Sequence, residues 1–419
     1  IWVKRYRAKV IPNASRAAAS EPIASGNRLG LALTLASKAM HFTFGVSEYF
    51  SANGVAAAVF GGLVVGSTVA FKTGVVGEIL GVSGSTRGMI VKPAFGKAAF
   101  IIGLIVAGIV ASRTLGNMEP LPPPVHDGDT EMRARIFARL AIGGFLVGFG
   151  TALGNGCTSG HGLTGLARLS LRSWVAVPVF MACGMITATL SGTAEAFPAD
   201  VASEMDAPEW RECLVWSACT IGVLALCALA AGAAAKRMAP ESAERAKVLA
   251  EFVAGLAFGV GLCVSTMARP SKVAAFLDWR SGAWDPSLAF VMGGGLAVTF
   301  PFWQYLERRG PASPLLGGAF GAPCRTKPVD RELVLGATLF GIGWGVCGVC
   351  PGPVWVLVGA VPSAEVAVVV AGLLAGMGIW RLRQRCLAEP AAAAAPTEAS
   401  KDLQAAEVGD INEGEKVIV

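Results

Sequence analysis

Apolar runs long enough to cross a bilayer recur along this chain, and several of them are cut short by glycine. The sharpest cut is Gly148-Phe-Gly-Thr-Ala-Leu-Gly-Asn-Gly-Cys157-Thr-Ser-Gly-His161-Gly162, which ends an apolar run that starts near Ile136. Each glycine costs a helix about 1 kcal/mol against alanine, so this density stops the helix and frees the backbone for close approach. If the run spans a membrane, the thiol and the imidazole stand at its end. Irregular backbone is tolerated there only against protein or a water-filled path.

Charge supports the membrane reading. Of 419 residues 53% are hydrophobic and 15% charged, where a soluble domain carries about 25% charged residues. A net charge of +6, dispersed along the chain, gives no nucleic-acid footprint. Ten cysteines sit mostly inside apolar runs, which fits small core residues rather than a disulfide framework. There is no nucleotide loop, metalloprotease motif or carboxylate pair, so the expectation is a non-enzyme without metal or cofactor.

About nine segments are long enough for the hydrocarbon layer: 54–71, 97–113, 136–154, 172–193, 212–235, 247–265, 286–306, 333–348 and 363–380. Four Gly/Ser/Pro-broken pieces, 74–90, 155–170, 266–280 and 349–360, are too short or interrupted to cross and read as re-entrant loops or half-helices. A soluble linker is the plainer alternative, most tenable for 266–280 with its Arg269, Lys272 and Asp278. The expected divisions are a basic arm or transit segment with an interfacial helix (1–53), a first membrane half (54–240), a second (245–385) and a disordered tail (386–419).

The halves look duplicated. A shift of 193 positions lays Gly148-Phe-Gly150 on Gly341-Ile-Gly343, Cys157 on Cys350, and Gly62 and Gly66 on Gly255 and Gly259. A shift of 82 relates Gly62 and Gly66 to Gly144 and Gly148. Chance self-matching of a Gly-rich chain explains this less well than duplication does. Matching spans lie odd steps apart, so the fold class is an all-α polytopic membrane protein of two inverted repeats. Residues 55–170 are then expected to superpose on 248–360 by rotation about an axis in the membrane plane.

Loops after odd-numbered spans hold most of the Lys and Arg, which assigns that side to the cytosol or an organelle interior. Residues 1–28 carry six cations against Glu21 and read as a transit peptide or a basic membrane-surface arm. The protein is therefore expected in the plasma membrane, or in an organelle inner membrane if that peptide is cleaved.

Gly154-Asn-Gly-Cys157-Thr-Ser-Gly-His161-Gly162, Leu166-Ala-Arg168-Leu-Ser170, Gly341-Ile-Gly-Trp-Gly345 and Cys350-Pro-Gly-Pro353 resemble the YeeE/YedE family of sulfur-compound transporters. Gly81-Val-Ser-Gly84, Gly259-Val-Gly-Leu262 and the stretch from Ser265 to Asp278 resemble its paired, half-length form, so this chain looks like two halves fused over roughly 55–380. The resemblance implies uptake of thiosulfate or a related small sulfur-containing anion. In the family a few pore-lining cysteines are thought to pass the ion by S–H···S contacts, and Cys157 and Cys350 match two of them. A further family cysteine belongs to the first unit, where the 82-shift from Cys157 lands on Val75.

The expected substrate path is Cys157, Cys350, Gly156, Ser159, Gly160, His161, Gly352, Ser83 and Gly84. Half-helix N-termini would supply N–H donors and partial positive charge, and protonated thiols a soft donor. His161 either polarises or gates the path, or holds loop carbonyls in shape. Cys347-Gly-Val-Cys350 has redox spacing without a redox context, so Cys347 reads as packing. Lys72, Arg87, Arg168, Arg269 and Lys272 flank the breaks as anion attractors or interfacial anchors. The alternative function is a membrane sulfurtransferase carrying a persulfide on Cys157 or Cys350, and a sulfur-carrier or sulfurtransferase protein is a conceivable partner under either reading. A third reading, a structural protein whose glycines serve only helix packing, leaves the recurrence of cysteine unexplained.

Overall fold

A computed structural model describes residues 51–91, 94–116, 118–121, 130–193, 208–235, 237–280, 284–309, 313–321 and 328–393. Among them every regular element is helical: α1 (Ala52–Val76), α2 (Val82–Val91), α3 (Phe95–Thr114), α4 (Thr130–Leu153), a wide π-type helix (Thr158–Gly165), α5 (Leu171–Ser191), α6 (Trp210–Ala235), α7 (Pro240–Val264), α8 (Pro270–Leu277), α9 (Ser287–Arg309), α10 (Arg331–Cys347), α11 (Pro351–Ala360) and α12 (Ala364–Ala393). The expected basic arm and interfacial helix and the tail beyond 393 lie outside the described residues. The last helix continues to Ala393, past the expected boundary at 385.

Among the described residues eight stretches are long and apolar enough to cross a membrane: α1, α3, α4, α5, α6, α7, α12, and α10 taken together with α11. The expected seventh span, α9, is as long, but Gly293–Gly295, Pro301 and Gln304 make it less apolar. The chain is an all-α polytopic membrane protein. Leu190, Leu226 and Leu229 expose most of their surface on α5 and α6, as lipid-facing side chains do.

Four times a long helix stops, one residue takes left-handed backbone, and a short helix follows. The turning residues are Gly77 (φ 87°), Asn155 (φ 59°), Thr266 (φ 58°) and Gly348 (φ 68°). Proline, whose fixed φ suits a first turn, starts α8 and α11. The third break is no soluble linker, since α8 buries Pro270, Ser271, Val273, Ala274 and Leu277.

The long helices interlock between the halves. Helix α7 packs on α1 and α3 while α9 packs on α1; likewise α10 packs on α4 and α5 while α12 packs on α4. Exchanging the halves turns each of these contacts into another of the set, the signature of a self-complementary interface. The duplicated glycines make it possible. A Cβ on Gly62 would stand 2.5 Å from the Val291 carbonyl oxygen, on Gly255 2.0 Å from that of Phe100, on Gly148 2.1 Å from that of Leu373, and on Gly341 2.5 Å from that of Phe180. Lipid offers no hydrophobic force between helices, so this backbone proximity is where association energy arises.

Gly148→Val should therefore lower stability by about 1–3 kcal/mol, the range for overpacking, and reduce the yield of monodisperse protein in detergent. Gly378→Ala, where the added carbon meets nothing within 4 Å, should melt at the wild-type temperature.

Candidate functional site

The break after α4 is held by its own backbone and by one arginine. The amides of Gly154 and Gly156 donate to the carbonyls of Gly150 and Thr151. Arg87, from α2, donates to Ala152 O (3.1 Å) and Asn155 Oδ1 (2.6 Å), fixing the left-handed turn. Cys157 then caps the π-type helix. Cys350 holds the same place before α11, with Pro351 behind it.

The two thiols, one from each half, reach a common place. Thr158 Oγ1 donates to Cys350 Sγ at 3.8 Å, and Cys157 Sγ lies 3.2 Å from Ser159 Oγ. Cys157, Thr158, Ser159, Cys350 and Gly352 border a void of about 20 Å³ with Val65, Phe258, Met267 and Met292. That is room for a single water.

Beyond it lies an open basin of about 430 Å³ that Ser83, Gly84, Gly156, Gly160 and His161 help to line. The expected path residues thus fall into two adjoining chambers: five on the basin, and Cys157, Ser159, Cys350 and Gly352 on the void. Ser159 stands at the partition, accepting a hydrogen bond from the Val82 amide at 3.3 Å. The basin walls carry Arg87, Lys97, Arg168 and Arg172 against Glu78. Lys97 pairs with Glu78, and Arg172 reaches Asp330 at 2.6 Å. The excess of cations makes the basin attractive to anions.

The flanking cations divide in the same way. Arg87 and Arg168 line the basin, each against a tryptophan ring, Trp380 and Trp303, at 5.0 Å. Lys72 and Arg269 are instead buried beside Glu251 and Glu119, and Lys272, partly buried, pairs with Asp285.

His161 is occupied by the loop it belongs to. Its Nε2 lies 3.2 Å from the Gly154 carbonyl and its Nδ1 3.0 Å from Ser173 Oγ. The carbonyl can only accept, so Nε2 carries the hydrogen, and in the neutral ring Nδ1 accepts from the serine. The shape-holding reading is the one this geometry supports, although the ring edge also borders the basin. Cys347 turns away from Cys350: its thiol donates to Val349 O at 3.7 Å, and its Cβ meets the position a Cβ on Gly143 would take.

The structure corrects the gapless comparison for the first unit. Val75 lies within α1 and is no counterpart of Cys157. The residue that precedes α2, as Cys157 precedes its short helix, is Gly81, because α1 runs four residues further to its turn at Gly77 than the shift allows and the chain takes two residues more between Gly77 and Val82 than between Asn155 and Thr158. A Cβ on Gly81 would lie 3.8 Å from Gly160 Cα. Sequence reading missed Thr158, Met267 and Met292 as site residues. The first adjoins Cys157, but nothing in the local pattern marks the methionines.

A family model described as sulphur transport matches residues 13–187, and one described as a family of unknown function matches 246–391. A probable transporter of Xylella fastidiosa strain 9a5c is 45% identical over 135 residues, 32% of this chain and 90% of that protein. The chain belongs to the YeeE/YedE family. A probable transporter of Xylella fastidiosa strain Temecula1 is 33% identical over 136 residues, 32% of this chain and 93% of its own. The thiosulfate transporter TsuA of Spirochaeta thermophila is 34% identical over 83 residues, 19% of this chain and 22% of TsuA. As a member of this family the chain is a multi-pass membrane transporter of sulfur compounds, not an enzyme.

Two glycines on the basin respond differently to enlargement. A Cβ on Gly160 meets nothing within 4 Å, whereas one on Gly156 falls 2.6 Å from the His161 ring. Gly160→Leu should fold normally and lower uptake at least several-fold by filling the basin. Gly156→Leu should fail by displacing His161, visible as a lower melting temperature.

Proposed function

We propose that the transported species is thiosulfate or a closely related small sulfur oxyanion, and that it passes from the basin, through the partition at Ser83, Ser159 and Gly160, into the void between Cys157 and Cys350. The observation that carries this reading is the convergence of one thiol from each half on a single void beside a cation-walled basin. The name of the TsuA relative supports thiosulfate.

A dianion in a membrane needs compensation that does not trap it. The short helices bring their N-termini to the site, with backbone N–H donors at Thr158 and Gly352 and the partial positive charge of a helix start at each. Protonated thiols add weak, soft donors matched to a terminal sulfur, and a thiolate would repel the ion. A void of about 20 Å³ is too small for the ion, so transport requires the halves to move apart around it. The exchange-symmetric contacts of the long helices support an inverted two-fold relation between them. The basin opens beside α2, α4 and α5, where the loops are rich in Arg and Lys, and so faces the cytosol or organelle interior. A sulfur-carrier or sulfurtransferase protein there would receive the cargo.

Uptake of labelled thiosulfate into vesicles containing the purified protein tests this directly. Cys157→Ala and Cys350→Ala should each cut uptake at least tenfold, with Cys→Ser partly tolerated at both. Cys347→Ala and Cys183→Ala should stay within a few-fold, losing only packing of about 1 kcal/mol. Equal activity of all four alanine variants would remove the thiols from the path. A persulfide on either cysteine, transferable to an acceptor, would favour the sulfurtransferase reading.

A further inference from the structure

Among the described residues the buried acids are Glu119, Glu251, Asp278 and Asp285, and of these Glu251 is the one inside a membrane-crossing helix. It lies midway along α7 and meets Lys72 of α1 at 2.7 Å, with side-chain exposures of 4% and 0%. Helices α1 and α7 belong to different halves and approach backbone to backbone, so that a Cβ on Gly61 would stand 2.7 Å from the Gly261 carbonyl oxygen. The pair therefore bridges the seam along which the halves must move.

Its surroundings connect it to both chambers. The Lys72 ammonium stands over the Phe100 ring at 4.6 Å, Phe100 contacts Phe258 with centroids 6.3 Å apart, and Phe258 borders the central void. On the other side, Lys97 and Glu78 of the basin wall act electrostatically on Lys72, and Lys247 acts on Glu78. Gly96 of α3 leaves room against the Glu251 side chain.

We propose, on the reading that this protein carries a sulfur oxyanion, that Lys72 and Glu251 form a proton-coupling site in which Glu251 binds one proton for each anion moved. Ionised groups inside a membrane are costly and mark ion pathways. Separating this pair while both partners are charged would strand two charges in an apolar seam. A proton taken from water onto the Glu251 carboxylate removes one of them. Lys72 is then a net positive charge separated from the void by the Phe100 and Phe258 rings, and the dianion supplies its counter-charge. When the halves return, the proton leaves Glu251 to water on the basin side, the pair closes on itself, and the anion loses its partner and departs. Proton and anion travel together in the same direction, so a dianion crosses with a net charge of −1.

The test uses full-length protein in proteoliposomes, with labelled thiosulfate outside and a trapped pH dye within. An acid-outside gradient should raise wild-type uptake several-fold and bring in about one proton per anion. Glu251→Gln should exchange thiosulfate across the membrane yet show no response to the gradient and no proton entry. Should that variant misfold, Lys72→Met/Glu251→Met leaves no unpaired charge and should fold. If it still exchanges labelled thiosulfate, even at a reduced rate, and ignores the gradient, coupling stands; if it exchanges none although folded, the coupling fails. If it follows the gradient as the wild type does, the pair is structural and the proposal fails. Wild-type thiosulfate uptake without proton entry overturns the coupling alone. A wild type that moves no thiosulfate, sulfite or sulfate under any gradient overturns the transport reading and the coupling with it.

Discussion

The whole architecture depends on how closely helix backbones from the two halves approach. At Gly62, Gly148, Gly255 and Gly341 no Cβ fits, because a carbonyl oxygen of a helix from the other half, or from a neighbouring unit, occupies its place. In lipid, where apolar side chains gain nothing by leaving the tails, such contacts replace the hydrophobic effect as the source of helix association. They also draw the four breaks together, since each lies at or near the end of a helix that carries one of these glycines. A looser seam would leave Cys157 and Cys350 in separate cavities.

Electrostatics follows from that geometry. Where helices close fully, cations are tolerated only beside carboxylates, as with Lys72 and Glu251 or Lys272 and Asp285. Where the first-half breaks leave space, Arg87 and Arg168 retain a polar wall, braced on Trp380 and Trp303. The chain thus keeps its positive charge at an entrance and neutralises it in the interior. On the proposed path an anion is drawn to the basin and is not held fast in the void, where its polar partners are thiols, hydroxyls and helix N-termini.

Several residues stood between two readings until their neighbours were known. His161 binds Gly154 and Ser173 and so belongs to the loop's scaffold. Cys347 and Cys350 share a redox spacing but face different helices, because the left-handed turn at Gly348 separates them. The stretch after α7 is rich in charge, yet its helix is buried and its charges are paired.

Membrane class, the long helices, the four breaks and the prominence of Cys157 and Cys350, which border one void, were legible in the sequence, because each depends on local composition: apolar length, glycine density and a cysteine that recurs at a fixed spacing. The first unit was misaligned because a gapless shift cannot register six extra residues, four from the longer run of α1 to its turn at Gly77 and two between that turn and α2, so Val75 was read where Gly81 stands. Tertiary structure alone decided the rest. Met267 and Met292 reach the void, and Lys72 meets Glu251, through contacts between elements far apart in the chain. No local pattern encodes those meetings, because side chains from different helices are brought together only when the halves interlock.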